Sequence, residues 1–150
     1  MTKGIVVPAG GGKTYEDTPG RVFALKLAAG QTGESIMLFE ETVPAGTGST
    51  HHLHHDSDEV VWVLEGEFTF KIGDEVFSGG PGTCAFRPRR VPHAWKNSGP
   101  GTARALFLYT PGNAGRYVEE MFERPATLSD AERDRERARH RWELLGSNPL

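Results

Sequence analysis

Residues 51–66 read HHLHHDSDEVVWVLEG and decide the fold class and the candidate site together. His52 and His54 stand two residues apart, shortly before a run of valines and a tryptophan. Because β-branched and aromatic residues favour strands, we predict an extended segment here rather than a helix that starts at His51. On a strand, residues i and i+2 point to one face about 7 Å apart, so His52 and His54 can reach the same metal ion.

Two further side chains extend this pair to a candidate metal-binding set. Glu59 follows His54 after a short polar turn, and His93 belongs to a later strand. Imidazole nitrogens with one carboxylate suit iron, nickel, manganese, cobalt, copper or zinc, and the sequence does not choose among these metals. We predict one divalent transition metal ion bound by His52, His54, Glu59 and His93. The competing interpretation is a polar, solvent-facing cluster that binds no ion.

The sequence around this cluster has the pattern of an all-β domain. Between residues 21 and 111, short runs rich in Val, Phe and Leu alternate with Gly and Pro, which is typical of a β-sandwich or barrel. The strand candidates are residues 21–27, 34–43, 59–65, 67–72, 83–87 and 103–110. The strand that begins at Glu59 is apolar on both faces, so we expect the C-terminal helices or another subunit to cover its second face.

The two ends of the chain differ from this β pattern. We predict that residues 1–20 form an irregular arm or an edge strand and that residues 112–150 form a helical extension packed on the barrel. Apolar residues at helical spacing predict a short helix that Pro125 ends. Ser129 begins a capping-box pattern, which predicts a second helix that runs to about Leu145. We assign no chemistry to this second helix, because its surface is mostly charged.

Composition limits the partners and the compartment. The chain has 150 residues, a net charge of −3 and one cysteine, Cys84. Without a basic stripe, we expect no nucleic-acid partner, and no apolar run is long enough to cross a membrane. A single cysteine and the lack of a signal-like apolar segment favour a cytoplasmic protein. The doubly apolar strand suggests a homodimer packed sheet to sheet.

The spacing of the candidate ligands resembles the two signature motifs of the cupin superfamily. The matching positions are Gly46, His52, His54, Glu59 and Gly66 in the first motif, and Gly82, Pro88, His93 and Asn97 in the second. One position departs from the pattern, because Arg90 stands where the family has glycine. Glycine there marks a backbone with positive φ, which costs an arginine roughly 1 kcal/mol, so we expect the turn before His93 to differ in shape.

This resemblance implies a fold, a cofactor and an activity. The implied fold is a double-stranded β-helix, a jelly-roll barrel with the ion inside one mouth and a C-terminal helical extension. The flanks are similar to those of small single-domain, quercetinase-like cupins, which implies a dioxygenase that uses dioxygen on a small aromatic or enolisable substrate, with Glu59 as ligand and general base. The alternatives are a non-redox isomerase, cyclase or lyase, and a barrel that binds a small ligand or metal without turnover.

Candidate substrate-binding residues lie on the same strand faces as the predicted metal ligands. Val61 shares the face of Glu59, and Trp95 and Asn97 share the face of His93. They predict a mostly apolar pocket suited to a flat organic molecule, although core packing is the favoured interpretation of Val61. Arg87, Arg89 and Arg90 could attract an anionic substrate, but flanking arginines are usually solvated and this is the favoured interpretation.

Overall fold

The structure is a computed structural model that describes residues 2–124 and 128–150. Its strands are β1 Lys13–Glu16, β2 Val22–Leu27, β3 Met37–Val43, β4 His51–His54, β5 Asp58–Glu65, β6 Phe68–Ile72, β7 Glu75–Gly79, β8 Cys84–Arg87, β9 His93–Asn97, β10 Ala103–Thr110 and β11 Trp142–Gly146. Its helices are α1 Arg116–Glu123 and α2 Asp130–Arg139. Within the described ranges, no helix has the length and apolar character needed to span a membrane.

Two antiparallel sheets form the barrel. One sheet has the order β1-β2-β3-β10-β5-β8 and the other has the order β11-β4-β9-β6-β7. Along β3 and β10 every second side chain is buried, which is the pattern of strands with one face toward a core. Aromatic side chains fill the space between the sheets, with Phe39 stacked on Phe107 at a centroid distance of 5.0 Å. The predicted all-β, double-stranded β-helix is therefore confirmed.

The outer face of β5 is uncovered in the single chain. Trp62 is 47% exposed, and Phe86 on the neighbouring strand β8 is 56% exposed. The helices do not cover this face, because α1 packs against β1 and α2 packs against β11. Within the described residues this face is therefore open, and the homodimer stays a prediction.

The oligomeric state can be measured directly. We expect sedimentation equilibrium to give a dimer mass for the wild-type chain and a monomer mass for Trp62→Glu, because a charge at this position opposes burial of the apolar face. A monomeric wild-type protein at micromolar concentration would contradict the homodimer.

The C-terminal region differs from its predicted structure. The capping box is present, since Ser129 accepts a hydrogen bond from the Glu132 amide and the Glu132 carboxylate accepts one from the Ser129 amide. The helix ends at Arg139, however, and the prediction that it continues to about Leu145 is wrong. Residues 142–146 form β11 and pair with β4. The predicted role of Pro125 lies outside the described residues.

A strained residue and an open sheet edge explain this strand. Arg141 has φ 61°, a left-handed conformation that stops a right-handed helix. Beyond it, the backbone pairs with β4, whose edge would otherwise leave N–H and C=O groups unpaired. The first and last segments of the chain thus each add a strand to a sheet. The division into residues 1–20, 21–111 and 112–150 stays a prediction.

The turn before β9 keeps the backbone that a glycine would adopt. Arg90 has φ 66°, the positive value expected of a glycine at this position. The prediction that the turn differs in shape is therefore wrong for this dihedral angle. The Arg90 amide donates to the His54 carbonyl at 2.7 Å, which ties the turn to β4. We infer that this hydrogen bond and the flanking prolines hold the arginine in a strained conformation.

Arg90→Gly is expected to stabilise the protein by about 1 kcal/mol, because glycine adopts positive φ without strain. Urea unfolding measures this change in the free energy of unfolding. Arg90→Ala removes the same charge but keeps Cβ, so it should give no such gain. Equal stabilisation by both variants would show that the charge, not the backbone, is responsible.

Candidate metal centre

Two neighbouring strands bring the three histidines together. His52 and His54 point to the same side of β4, and His52 pairs directly with His93 of β9 across the sheet. All three side chains are buried, and one ring nitrogen from each lies within 4.8 Å of the other two. By contrast His55 is partly exposed and pairs with Glu143 at 3.0 Å. Because side chains alternate in direction along a strand, His52 and His54 point inward while the next residue, His55, does not.

Glu59 brings its carboxylate to the same point from the start of β5. Its Oε2 lies 3.2 Å from His54 Nε2 and 3.4 Å from His93 Nε2. Its Oε1 accepts from Arg87 Nη2, and both side chains of this ion pair are at most 2% exposed. The structure therefore brings all four sequence-predicted ligands together.

Hydrogen bonds from the Nδ1 atoms of two imidazoles orient the Nε2 atoms of the same rings toward the centre. His52 Nδ1 donates to the Thr50 carbonyl at 2.8 Å, and His93 Nδ1 donates to the Val91 carbonyl at 3.0 Å. With the proton on Nδ1, the lone pair on Nε2 is free to bind a metal. This arrangement is the usual support for a histidine that ligates a metal.

The donor set fits a divalent transition metal ion. Within the described part of the chain, three convergent buried atoms have no hydrogen-bond partner, namely His54 Nε2, His93 Nε2 and Glu59 Oε2. Buried polar atoms without partners are uncommon in folded proteins and call for a bound species. Three neutral imidazoles and one carboxylate supply the nitrogen and oxygen ligands that such an ion prefers.

The protonation states favour metal binding. Burial lowers the pKa of His93 to about 4 and lowers the pKa values of His52 and His54 as well. Burial alone would raise the pKa of Glu59, but the Arg87 guanidinium and the two adjacent histidines hold that pKa well below its usual range. The ligands are therefore deprotonated at neutral pH, as metal coordination requires.

Acidification is expected to destabilise the metal-free protein. An unfolded histidine titrates near 6.5, whereas His93 in the folded chain titrates at about 4. Between these values the unfolded state binds more protons, so the free energy of unfolding falls as pH falls, by up to about 3 kcal/mol from His93 alone. Stability is fully present above about pH 6.5.

Urea unfolding of chelator-treated protein at several pH values between 7 and 4 tests this dependence. His93→Gln removes one of the buried titrating groups and should make the curve shallower, while His52 and His54 still contribute, whereas the partly exposed His55→Gln should leave the curve unchanged. A wild-type stability that stays constant over this range would contradict the burial of neutral histidines.

A cavity of about 130 Å³ adjoins the ligands. Aromatic side chains form much of its wall, and the sequence-predicted Trp95 is one of them. Val61 lies in the hydrophobic core and does not line the cavity. Asn97 does not line it either, because its amide nitrogen donates to Val43 and Gly101 carbonyls and its oxygen accepts from the Gly99 amide. These bonds give Asn97 a structural role at the end of β9.

One residue of the site was not singled out from the sequence, and another has a different role from the one considered there. Trp142 stacks on His52 at a centroid distance of 5.1 Å and meets His54 edge-on at 4.4 Å. No local signal marks it, because its position depends on β11. Arg87 was considered only as a solvated residue or one that attracts an anionic substrate, whereas the structure buries it on the face of β8 that also carries Ala85. Its register partner across the sheet is Glu59.

The helix to which we assigned no chemistry also contributes to this cavity. Arg133 and Arg137 of α2 line it together with Arg21 and Arg87. The helix sequence alone does not show which of its many arginines faces the barrel.

Comparison with known proteins identifies the family. The Cupin_2 model, described as a Cupin domain, matches residues 39–109, a span that contains all four candidate ligands. The architecture agrees with that of a sugar phosphate isomerase from a cupin superfamily of Silicibacter pomeroyi, at a TM-score of 0.59 and 20% identity over 71% of this chain and 75% of that one. The chain belongs to the cupin superfamily.

Two other relatives are more similar to this cupin in sequence. TT1209 from Thermus thermophilus is 30% identical, with a TM-score of 0.50 over 53% of this chain and 75% of that chain. The uncharacterized protein MJ1618 of Methanocaldococcus jannaschii is 32% identical over 67 residues, which are 45% of this chain and 54% of the relative. This cupin spans about half the length of the curated relatives it matches.

Proposed function

We propose that this cupin is a metal-dependent enzyme that acts on a small enolic or phenolic compound, with dioxygenase chemistry as the first reaction class to test. One observation carries the proposal: three buried imidazoles and a buried carboxylate converge beside an aromatic cavity. A redox-active divalent ion, when bound, would acidify a substrate hydroxyl and provide a place for dioxygen.

The side chains around the ligands have distinct tasks in this proposal. Trp95 and Phe107 form an apolar wall against which a flat molecule can lie, and they limit the space for water. Trp142 fixes the ring planes of His52 and His54 through its stacking and edge contacts. The hydrogen bond from its Nε1 to the Ala114 carbonyl at 2.9 Å holds the indole in that position.

Glu59 Oε2 is the candidate acceptor of the substrate proton. Because the pKa of this carboxyl group is well below its usual range, the carboxylate is a weak base. A weak base suits a hydroxyl that is already acidic, such as that of an enol or phenol, better than an alkyl alcohol. The ion pair with Arg87 engages Oε1 and leaves Oε2 for the two roles proposed for Glu59, metal ligand and proton acceptor.

The test combines elemental analysis with an oxygen assay. Protein purified without chelator is analysed for transition metals, and oxygen consumption is then measured with a panel of enols and phenols. We expect a redox-active metal and oxygen uptake that His93→Ala abolishes. Zinc as the bound metal, without oxygen uptake, would contradict the dioxygenase and favour an isomerase, cyclase or lyase. A bound metal without turnover of any compound would favour a binding protein.

A further inference from the structure

The metal-binding cavity has a second, cationic wall. Arg133 and Arg137 stand one turn apart on α2 and therefore on one face of that helix, and both line the cavity. Arg21, which precedes β2, lines it as well. Its guanidinium lies over the Trp95 ring at 5.7 Å, so the cationic wall adjoins the aromatic one.

The charges of this wall are only partly compensated by the protein. Asp17 lies between two of the arginines, at 3.9 Å from Arg21 and 3.4 Å from Arg133, which are long distances for an ion pair. Glu41 takes one donor of Arg21 at 2.6 Å. Each guanidinium has five N–H donors, so several donors remain available.

Arg137 shows this surplus of donors most clearly. Its Nη1 donates to Asp134 at 2.8 Å, and its guanidinium lies over the Tyr117 ring at 5.2 Å. Its Nε is buried and has no hydrogen-bond partner within the described residues. A guanidinium placed in this way is suited to bidentate recognition of a planar carboxylate.

The total charge of the lining favours an anion. Four arginines and three carboxylates line the cavity, the arginines being Arg21, Arg87, Arg133 and Arg137 and the carboxylates being Asp17, Glu41 and Glu59. A divalent ion would add two positive charges. The lining as a whole therefore attracts a negatively charged molecule.

The volume limits the size of that molecule. A cavity of about 130 Å³ is smaller than the roughly 300 Å³ at which drug-sized pockets begin, and a cavity of about 150 Å³ is known to hold a benzene ring. One aromatic ring or a short chain fits this space.

We infer that Arg133 and Arg137, with Arg21, form the anion-binding end of the cavity, and that the substrate is a single-ring or short-chain carboxylic acid whose hydroxyl or enol reaches the metal centre. The inference rests on the proposed function for the role of the hydroxyl. The arginine end itself depends only on residues of this chain, so it can be tested without turnover.

Calorimetric titration of metal-free protein with two matched probes isolates the arginine end. 2-Hydroxybenzoate carries a carboxylate, and 2-hydroxybenzamide is nearly the same size but uncharged. We expect the acid to bind at least about tenfold more tightly, because a charge-assisted hydrogen bond contributes that much to affinity. Equal affinities for the two probes would overturn the inference.

Variants assign the binding to the named residues. Arg133→Gln and Arg137→Gln should each weaken 2-hydroxybenzoate binding about tenfold and leave 2-hydroxybenzamide binding unchanged. Arg135→Gln is the matched control, because this arginine lies on the exposed side of the same helix and should change neither affinity. Circular dichroism shows whether each variant is folded. Folded variants that keep wild-type affinity for the acid would overturn the inference.

Two further binding experiments distinguish this inference from the proposed function. Phenyl phosphate tests the class of anion, and tighter binding of phenyl phosphate than of 2-hydroxybenzoate would overturn the assignment to a carboxylic acid. A cobalt titration followed by absorbance tests the metal centre alone. If cobalt fails to bind while the acid still binds through the arginines, the proposed function fails and the anion-binding end stands.

Discussion

Replacement of His93 by alanine is expected to lower the affinity for divalent transition metals by more than about a hundredfold. Loss of a supporting hydrogen bond around a metal ligand alone costs roughly 10- to 100-fold in affinity, and this variant removes the ligand itself. His93 is also the ligand contributed by β9, so the variant breaks the link through the metal between two strands. Competition with a chromophoric chelator measures the change in dissociation constant.

His55→Gln is the matched control for this experiment. His55 follows directly after β4, but it is partly exposed and pairs with Glu143 away from the centre, so metal affinity should be unchanged. Thermal unfolding gives an independent measurement, because a metal at 100 times its dissociation constant stabilises the fold by about 2.7 kcal/mol. If His93→Ala binds metal as tightly as the wild type, the four-ligand centre is incorrect.

Arg87→Met is expected to reduce the free energy of unfolding of the metal-free protein by about 3 to 5 kcal/mol. The substitution removes one partner of a buried ion pair and leaves the charge of Glu59 uncompensated in the barrel interior. Urea unfolding of chelator-treated protein measures the loss. Saturating zinc should restore much of it, because the ion supplies positive charge next to the same carboxylate.

Two further variants test this explanation. Arg89→Met removes a neighbouring arginine whose ion pair with Asp58 is partly exposed to solvent, so we expect little change in stability. Arg87→Met combined with Glu59→Gln removes both charges and should be more stable than Arg87→Met alone. A double variant as unstable as Arg87→Met would show that lost packing, not an unpaired charge, is the cause.

The four candidate ligands could be predicted because their signal is local. The two-residue repeat of a strand places His52 and His54 on one side, and the motif spacing adds Glu59 and His93. The strand candidates were equally local, since alternation along β3 and β10 shows directly which side chains are buried. Even the strain at Arg90 could be inferred from the glycine expected there, although the turn keeps its shape.

The residues around the ligands could not be predicted in the same way. Trp142 reaches the histidines only because Arg141 ends the helix and the chain then pairs with the open edge of β4. Helical propensity in this segment is weaker than the gain from pairing that edge, and tertiary context decides between the two. Likewise, the two arginines of α2 that face the cavity are selected by the docking of the helix against the barrel.

Local sequence patterns are thus sufficient to indicate a series of β-strands and to place His52 and His54 on one side, and the resemblance to the cupin motifs implied the barrel and the full set of four candidate metal ligands. Strand periodicity acts over a few residues and the motif spacing is a property of the sequence itself, so both can be read without knowledge of the fold. Three sets of contacts are defined only by the tertiary structure: Arg87 neutralises Glu59, β11 places Trp142 over the histidines, and α2 adds a cationic wall. These contacts join residues that are distant in sequence, and their energies depend on burial and separation in space, which are defined only once the chain has folded.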